Sequence, residues 1–328
     1  MKKFLATAVV AAAFSTTAAY AADLKMATKA PPAPAPVESP WDVAFGAWVA
    51  SDYNFRGVTQ SAHKPAVGVY FEPRYNINKD LQLYIGMGGE SIDFPNHAAA
   101  EIDFYGGIRP TFGKLALDFG AWYYWYPGGQ CFNTNALCDS LGGGTPEAIT
   151  LRNGNVVKAD VSFVELYAKA TFNLTDQFSF GGSFYWSPSV LNSGADGEYI
   201  AGFAKYVFPN LPLPSGWGAY VSADVGYWNL GTSDAFYAVP AFPNGIPYKS
   251  YATWDLGFGI TYKVFTLDFR YYDTNLNKGD CNAFTSDHTA SGVATTAINP
   301  APLPGSDWCG ASFIVKLSVD SALSGLKP

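Results

Sequence analysis

The stretch WDVAFGAWVASDYNFRGVTQ, residues 41–60, decides the fold. Val43, Phe45, Ala47, Val49, Tyr53 and Phe55 share one parity, while Asp42, Gly46, Asp52, Asn54 and Arg56 share the other, with Trp48 among them. Successive side chains of an extended chain point to opposite faces, so residues 41–55 read as a strand with one apolar and one polar face. The run is at least as long as the roughly 9–11 residues that cross a bilayer at a tilt. It could belong to a soluble sheet or be the first stave of a barrel in lipid. The rest of the chain separates these.

Composition favours lipid. Charged residues make up 14 % of the 328-residue chain, against about 25 % in ordinary soluble domains. Aromatics reach 16 %, with 24 Phe, 21 Tyr and 9 Trp, beside 33 Gly. Beyond the N-terminus no apolar run approaches the roughly 20 residues of a membrane helix. Few charges, many aromatics and no hydrophobic helix are the profile of an outer-membrane barrel.

The N-terminus has the form of an export signal. Lys2 and Lys3 precede a short apolar run, residues 4–14, and Ala19-Tyr20-Ala21 fits an A-x-A site with cleavage before Ala22. A leader over residues 1–21 carries the chain out of the cytoplasm, and its loss takes the formal charge from −7 to −9. An acidic chain is no partner for nucleic acid, which requires a basic face. Residues 22–40 are rich in Pro and Ala, with KAPPAPAPVESP over 29–40, a composition that favours extended polyproline II and serves as a periplasmic linker.

Twelve period-two runs follow, over roughly 41–55, 66–77, 81–91, 100–110, 115–126, 159–172, 178–187, 198–208, 217–230, 250–262, 264–274 and 310–319. Their connections alternate. Five are short, with polar, Gly or Pro turn chemistry, and lie around residues 78–80, 111–114, 173–177, 209–216 and 263. The others, 56–65, 92–99, 127–158, 188–197, 231–249 and 275–309, are longer. Tight periplasmic turns alternating with large extracellular loops are the pattern of a transmembrane barrel. The expected fold is therefore all-β: a closed antiparallel barrel of about twelve strands over residues 41–319, with both termini in the periplasm and a short tail over 320–328.

A charge facing lipid at midplane costs roughly 2–4 kcal/mol, so charges gathered on one parity of each strand must face a common lumen. Asp52, Arg56, Arg74, Glu101, Asp103, Arg109, Asp118, Glu165, Lys169, Asp224, Asp255, Asp268 and Arg270 are the candidates, joined by Glu72. Strand eight is ambiguous, since Glu198 and Lys205 differ in parity. The set either pairs across the lumen and plugs it or lines water, and in the second case its excess of acids would mildly favour cations. Trp122, Tyr123, Tyr124, Trp125 and Tyr126, with Tyr185 and Trp186, sit at strand ends as an interfacial girdle would. A sugar-stacking platform is the sharper alternative.

Four cysteines in an exported chain read as two disulfides, Cys131 with Cys138 and Cys281 with Cys309, both in long loops. No metal site or cofactor is expected. The three histidines, His63, His97 and His288, fall outside the strands without a nucleophile pattern, and neither G-x-S-x-G nor H-E-x-x-H occurs. No enzyme is expected.

Ser51-Asp52-Tyr53, then Phe55-Arg56-Gly57-Val58-Thr59-Gln60 and Pro65-Ala66, together resemble the start of the TorF family of porins, proteobacterial outer-membrane barrels, and Tyr272-Asp273-Thr274 looks like that family's late motif. The resemblance covers 41–319, and S-x-Y-x-F-R-G-x-T-Q is its sharpest part. It implies a barrel with a pore function and supplies no catalytic or ligand-binding residues. The linker, the lengths of loops 127–158 and 275–309, and the ending SALSGLKP depart from the pattern. The resulting expectation is an outer-membrane channel of a Gram-negative bacterium, surrounded by outer-membrane lipid and passing small hydrophilic solutes or ions. The alternative is a surface-structural or adhesive barrel with a plugged lumen and stapled loops.

Overall fold

A computed structural model describes residues 39–326 of the chain, except 210 and 213. The expected leader, and the linker up to residue 38, lie outside the described residues. Twelve strands form one closed ring: β1 (Trp41–Ala50), β2 (Ala66–Asn78), β3 (Leu81–Glu90), β4 (Glu101–Phe112), β5 (Leu115–Trp125), β6 (Phe163–Asn173), β7 (Phe178–Ser187), β8 (Gly197–Val207), β9 (Trp217–Leu230), β10 (Tyr251–Tyr262), β11 (Phe265–Thr274) and β12 (Ser312–Ala322). Each pairs antiparallel with its chain neighbours. The ring closes where β1 meets β12, with Ala44 opposite Ala322 and Ala50 opposite Lys316. Closure leaves no sheet edge, which a strand in hydrocarbon could not tolerate. The last strand continues into the expected tail, to Ala322.

The parity of the sequence is the parity of the wall. Ile85, Val225 and Phe313 point outward with 68 %, 62 % and 63 % of their surface uncovered. An apolar belt of this kind around a closed barrel is the face a transmembrane protein turns to lipid. Inward, Glu101, Asp118 and Glu165 keep only 1 % exposure each. Strand eight is resolved by its neighbours: Lys205 turns in, with Nζ 4.0 Å above the Tyr220 ring, and Glu198 turns out. The abundance of glycine has a steric cause at the inner wall. Tyr199 lies against Gly226 and Tyr220 against Gly259, where a Cβ would stand 2.2 Å from the Tyr199 hydroxyl oxygen and 2.3 Å from the Tyr220 ring.

Two features differ from expectation. β1 ends at Ala50, five residues early, so Tyr53 and Phe55 leave the outward parity and turn into the barrel. The aromatic set is divided as well. Tyr123, Trp125 and Trp186 face outward at 43 %, 43 % and 38 % exposure, whereas Trp122, Tyr124 and Tyr185 line the inner chamber and Tyr126 is buried above it. Strand alternation sends half of any unbroken aromatic run inward, so WYYWY cannot be a girdle throughout.

The long connections all lie at one end and fold into a cap. Helix α1 (Asn135–Ser140) and helix α2 (Lys278–Thr285) belong to it, α2 being capped by Asn277, whose side chain accepts from the Asp280 amide. Val190, Phe236, Tyr237, Ile246, Phe284 and Trp308 pack in its core over Trp228 and Tyr251 of the wall. Buried amides join loops distant in sequence: Asn155 donates to Asn282 at 2.7 Å, and Asn282 donates to Asn299 at 3.0 Å. Both expected disulfides are formed, Cys131–Cys138 within one loop and Cys281–Cys309 within another.

The second disulfide spans 28 positions, so by loop-closure entropy its removal should cost about 3–4 kcal/mol of local cap stability. A Cys281→Ser, Cys309→Ser double variant is expected to become sensitive to protease within 275–311. Its barrel should keep the wild-type temperature of unfolding on heat-modifiability gels.

Candidate functional site

The chain that leaves β1 early builds the central feature of the lumen. Asn54–Phe55 and Val58–Thr59 pair as a short hairpin, turning at Arg56 and Gly57 with φ of 50° and 82°. Two successive left-handed residues are the signature of a tight type I′ turn, for which glycine at the second position is suited. Gly57 has a further constraint, since a Cβ there would stand 2.2 Å from Thr274 Cγ2. The Asn54 side-chain oxygen accepts from the Gly57 amide at 2.9 Å, and Tyr251 donates to the Arg56 carbonyl at 3.1 Å.

At the hairpin tip, Arg56 donates two parallel hydrogen bonds to Glu165, Nη1 to Oε1 at 2.7 Å and Nη2 to Oε2 at 2.8 Å. Phe55, Tyr185, Tyr199 and Trp228 surround the guanidinium, with ring centroids 4.4–4.6 Å from Cζ. A planar, weakly hydrated cation is the group such a box suits, and the fork fixes its orientation. Tyr124 adds a hydrogen bond to Glu165 at 3.1 Å, and Tyr53 donates to Glu101 at 2.6 Å. The base of the hairpin is tied to Asp52, which accepts from Thr59 and Ser61 and contacts His63 Nδ1 at 2.9 Å.

Toward the turn end, the hairpin overlies a water-accessible chamber of about 540 Å3. One wall carries Glu72 between Arg74 and Arg109, with Nε–Oε1 at 2.6 Å and Nη1–Oε1 at 2.7 Å. Arg109 also reaches Asp118 at 3.2 Å, and Tyr84 donates to the same carboxylate. On the opposite wall Arg270 pairs with Asp255 and with Asp268, the latter at 3.1 Å, and donates to Ser222 at 2.8 Å. Asp224 stands beside Asp255 in register, and Lys169 lies 4.5 Å from the Tyr167 ring.

Of the lumen candidates, Asp52, Arg56, Arg74, Asp103, Arg109, Asp118, Lys169, Asp224, Asp255, Asp268 and Arg270 border this chamber. Glu101 and Glu165 are buried behind the hairpin on Tyr53 and Arg56. Sequence reasoning left out Lys316, which also borders the chamber and whose position between Val315 and Leu317 in β12 carried the signal. It also found no partner for His63, which pairs with an aspartate eleven residues away.

His63 is the titratable link in this anchor. The Asp52 carboxylate on Nδ1 raises its pKa above the ordinary imidazole value, and the Asp307 carbonyl, 3.2 Å from Nε2, favours the doubly protonated ring. A raised folded-state pKa contributes stability in full below the unfolded value of about 6.5 and loses it as pH rises through the folded value. Amide protection over residues 51–63, corrected for intrinsic exchange, should therefore fall as pH rises through the raised value. In His63→Gln the same profile should be flat. At the tip, Arg56→Ala strands Glu165 and should weaken hairpin docking by about 3–5 kcal/mol, read as protease cleavage at residues 54–59. Arg56→Ala combined with Glu165→Ala should be less damaging than Arg56→Ala alone.

Comparison with solved structures finds barrels at low identity. The NanC porin is 9 % identical with a TM-score of 0.38, over 85 % of this chain and 98 % of that one. OmpT, an outer membrane protein of Vibrio cholerae, is 11 % identical with a TM-score of 0.34, over 87 % and 99 %. LpxR from Salmonella typhimurium is 9 % identical with a TM-score of 0.38, over 84 % and 99 %. No curated protein matches the chain. A family profile does match, over residues 34–299, covering the hairpin and eleven of the twelve strands, and the chain thus belongs to the family described as bacterial protein of unknown function (Gcw_chp).

Proposed function

We propose that this protein is an outer-membrane channel for passive diffusion of small hydrophilic solutes, with the first loop as its gate. The observation that carries the reading is the chamber: about 540 Å3 inside the barrel, ringed by charges of both signs and covered toward the loops by one hairpin. A lumen meant only as a core would be filled by side chains, as in eight-stranded barrels. The S-x-Y-x-F-R-G-x-T-Q resemblance to TorF porins supports the same reading, and in this chain that motif is the hairpin itself. In this reading the short turns and both ends of the barrel face the periplasm, the capped end faces outward, and lipid covers the apolar belt. Asp224 and Asp255, beside each other on one wall, give the lumen a mild preference for cations. The reading involves no catalytic step.

A second reading is favoured by the apolar cap core over the outer mouth. A barrel sealed there serves as a surface platform for its stapled loops. Single-channel recording separates the two. As a channel, the wild-type protein gives small or intermittent steps, Arg56→Ala gives larger and longer ones, and Asp224→Asn with Asp255→Asn lowers the cation-to-anion permeability ratio. Absence of conductance in the wild type, in Arg56→Ala and in a variant with residues 54–59 replaced by a Gly-Ser linker would overturn the channel reading.

A further inference from the structure

At the cap end of the lumen three carboxylates converge, two of them, Glu90 and Asp103, on the edge of the chamber. Glu90 ends β3, Glu101 opens β4 directly opposite it, and Asp103 follows two residues on, on the same inward parity. One oxygen from each lies within 4.8 Å of the others. Oxygens bound to a single calcium ion stand no more than about 5 Å apart, given metal–oxygen distances of 2.3–2.6 Å. The spacing therefore suits one ion among all three.

Acid clusters are common, and two further observations point to a ligand here. Asp103 is 5 % exposed, and its Oδ1 has no hydrogen-bond partner among the described residues; the same holds for Glu90 Oε2. A buried carboxylate oxygen without a donor is a costly arrangement that a cation relieves. Opposite Asp103 stands Gly88, where a Cβ would come 3.3 Å from Glu90 Oε1 and 3.6 Å from Asp103 Cβ. Glu101 already accepts from Tyr53 at 2.6 Å and Tyr126 at 2.9 Å, one donor on each oxygen. A carboxylate oxygen so bonded keeps a lone pair free for a metal.

We infer that Glu90, Glu101 and Asp103 form a binding site for a hard divalent cation of the calcium class. An all-oxygen, carboxylate-rich donor set selects such ions over zinc or copper, and calcium tolerates irregular geometry. The ion bridges β3 to β4. Through Glu101 and the Tyr53 hydroxyl it also holds the segment that leads into the gate hairpin. The site does not depend on whether the barrel conducts.

Terbium, a luminescent substitute for calcium, tests this in the refolded, EDTA-stripped full chain, with Tyr53 and Tyr126 near enough to sensitise its emission. Excitation of the aromatic residues at pH 7.5 is expected to give saturable terbium emission that calcium displaces. Asp103→Asn should weaken terbium binding at least tenfold, and the partly exposed Glu90→Gln provides the same test if Asp103→Asn does not fold. Asp224→Asn, at the other acidic pair, should leave binding unchanged. Emission that does not saturate, or that is equal in wild type, Asp103→Asn and Glu90→Gln, would overturn the site and leave three carboxyls that share protons instead.

Discussion

Hydrocarbon offers no partner to a backbone N–H or carbonyl, and that constraint governs this molecule. A β-chain satisfies it only as a complete ring, so β1 must find β12 across the whole length of the barrel sequence. The rest of the wall follows. Alternating side chains must be apolar on one parity because lipid lies there, and the other parity is left to fill a lumen of fixed width. Tyrosines are well suited to that task, since each spans a large part of the interior and ends in a hydroxyl. Gly226 and Gly259 provide the space their rings occupy.

A polar interior then creates its own difficulty, because carboxylates withdrawn from water need donors. Most find them locally. Glu72, Asp118, Glu165 and Asp268 each meet an arginine, and tyrosine hydroxyls complete several of the sets. The resulting pairs lie along the walls of the chamber, which is why they coexist with open volume. The hairpin is the exception that crosses the lumen. Its arginine reaches the far wall only because the turn at Arg56-Gly57 is tight and four rings enclose the guanidinium.

Much of the barrel was legible in the sequence because period two is a strong signal when one face meets lipid. Eleven of the twelve observed strands fall within three or four residues of their expected limits, and the alternation of loops and turns follows from the same pattern. The misreadings have one origin. Periodicity describes a side chain's parity and is silent about where a strand stops, so Tyr53 and Phe55 were assigned outward although β1 ends at Ala50. The turn chemistry was present in Asn54 to Gly57, but the same residues could equally send a chain out toward solvent or back into the lumen. Only the long-range partner Glu165, more than a hundred residues away, decides between these. The division of the aromatics between belt and interior, and the amide contacts among Asn155, Asn282 and Asn299, likewise depend on tertiary neighbours that no local window contains.

Those amides have a mechanical consequence. They splice the third and sixth loops, and the ion pair of Lys158 with Asp234 adds the fifth. Loops joined in this way cannot swing as independent flaps, because displacing one unpairs buried polar groups in another. The cap therefore moves as one lid or not at all, and the first-loop hairpin is the smaller element able to shift beneath it. Change in one loop is similarly constrained: an insertion at a tip such as Ile149, 72 % exposed, adds chain to solvent, whereas one beside Asn155 would have to be accommodated by every loop it touches.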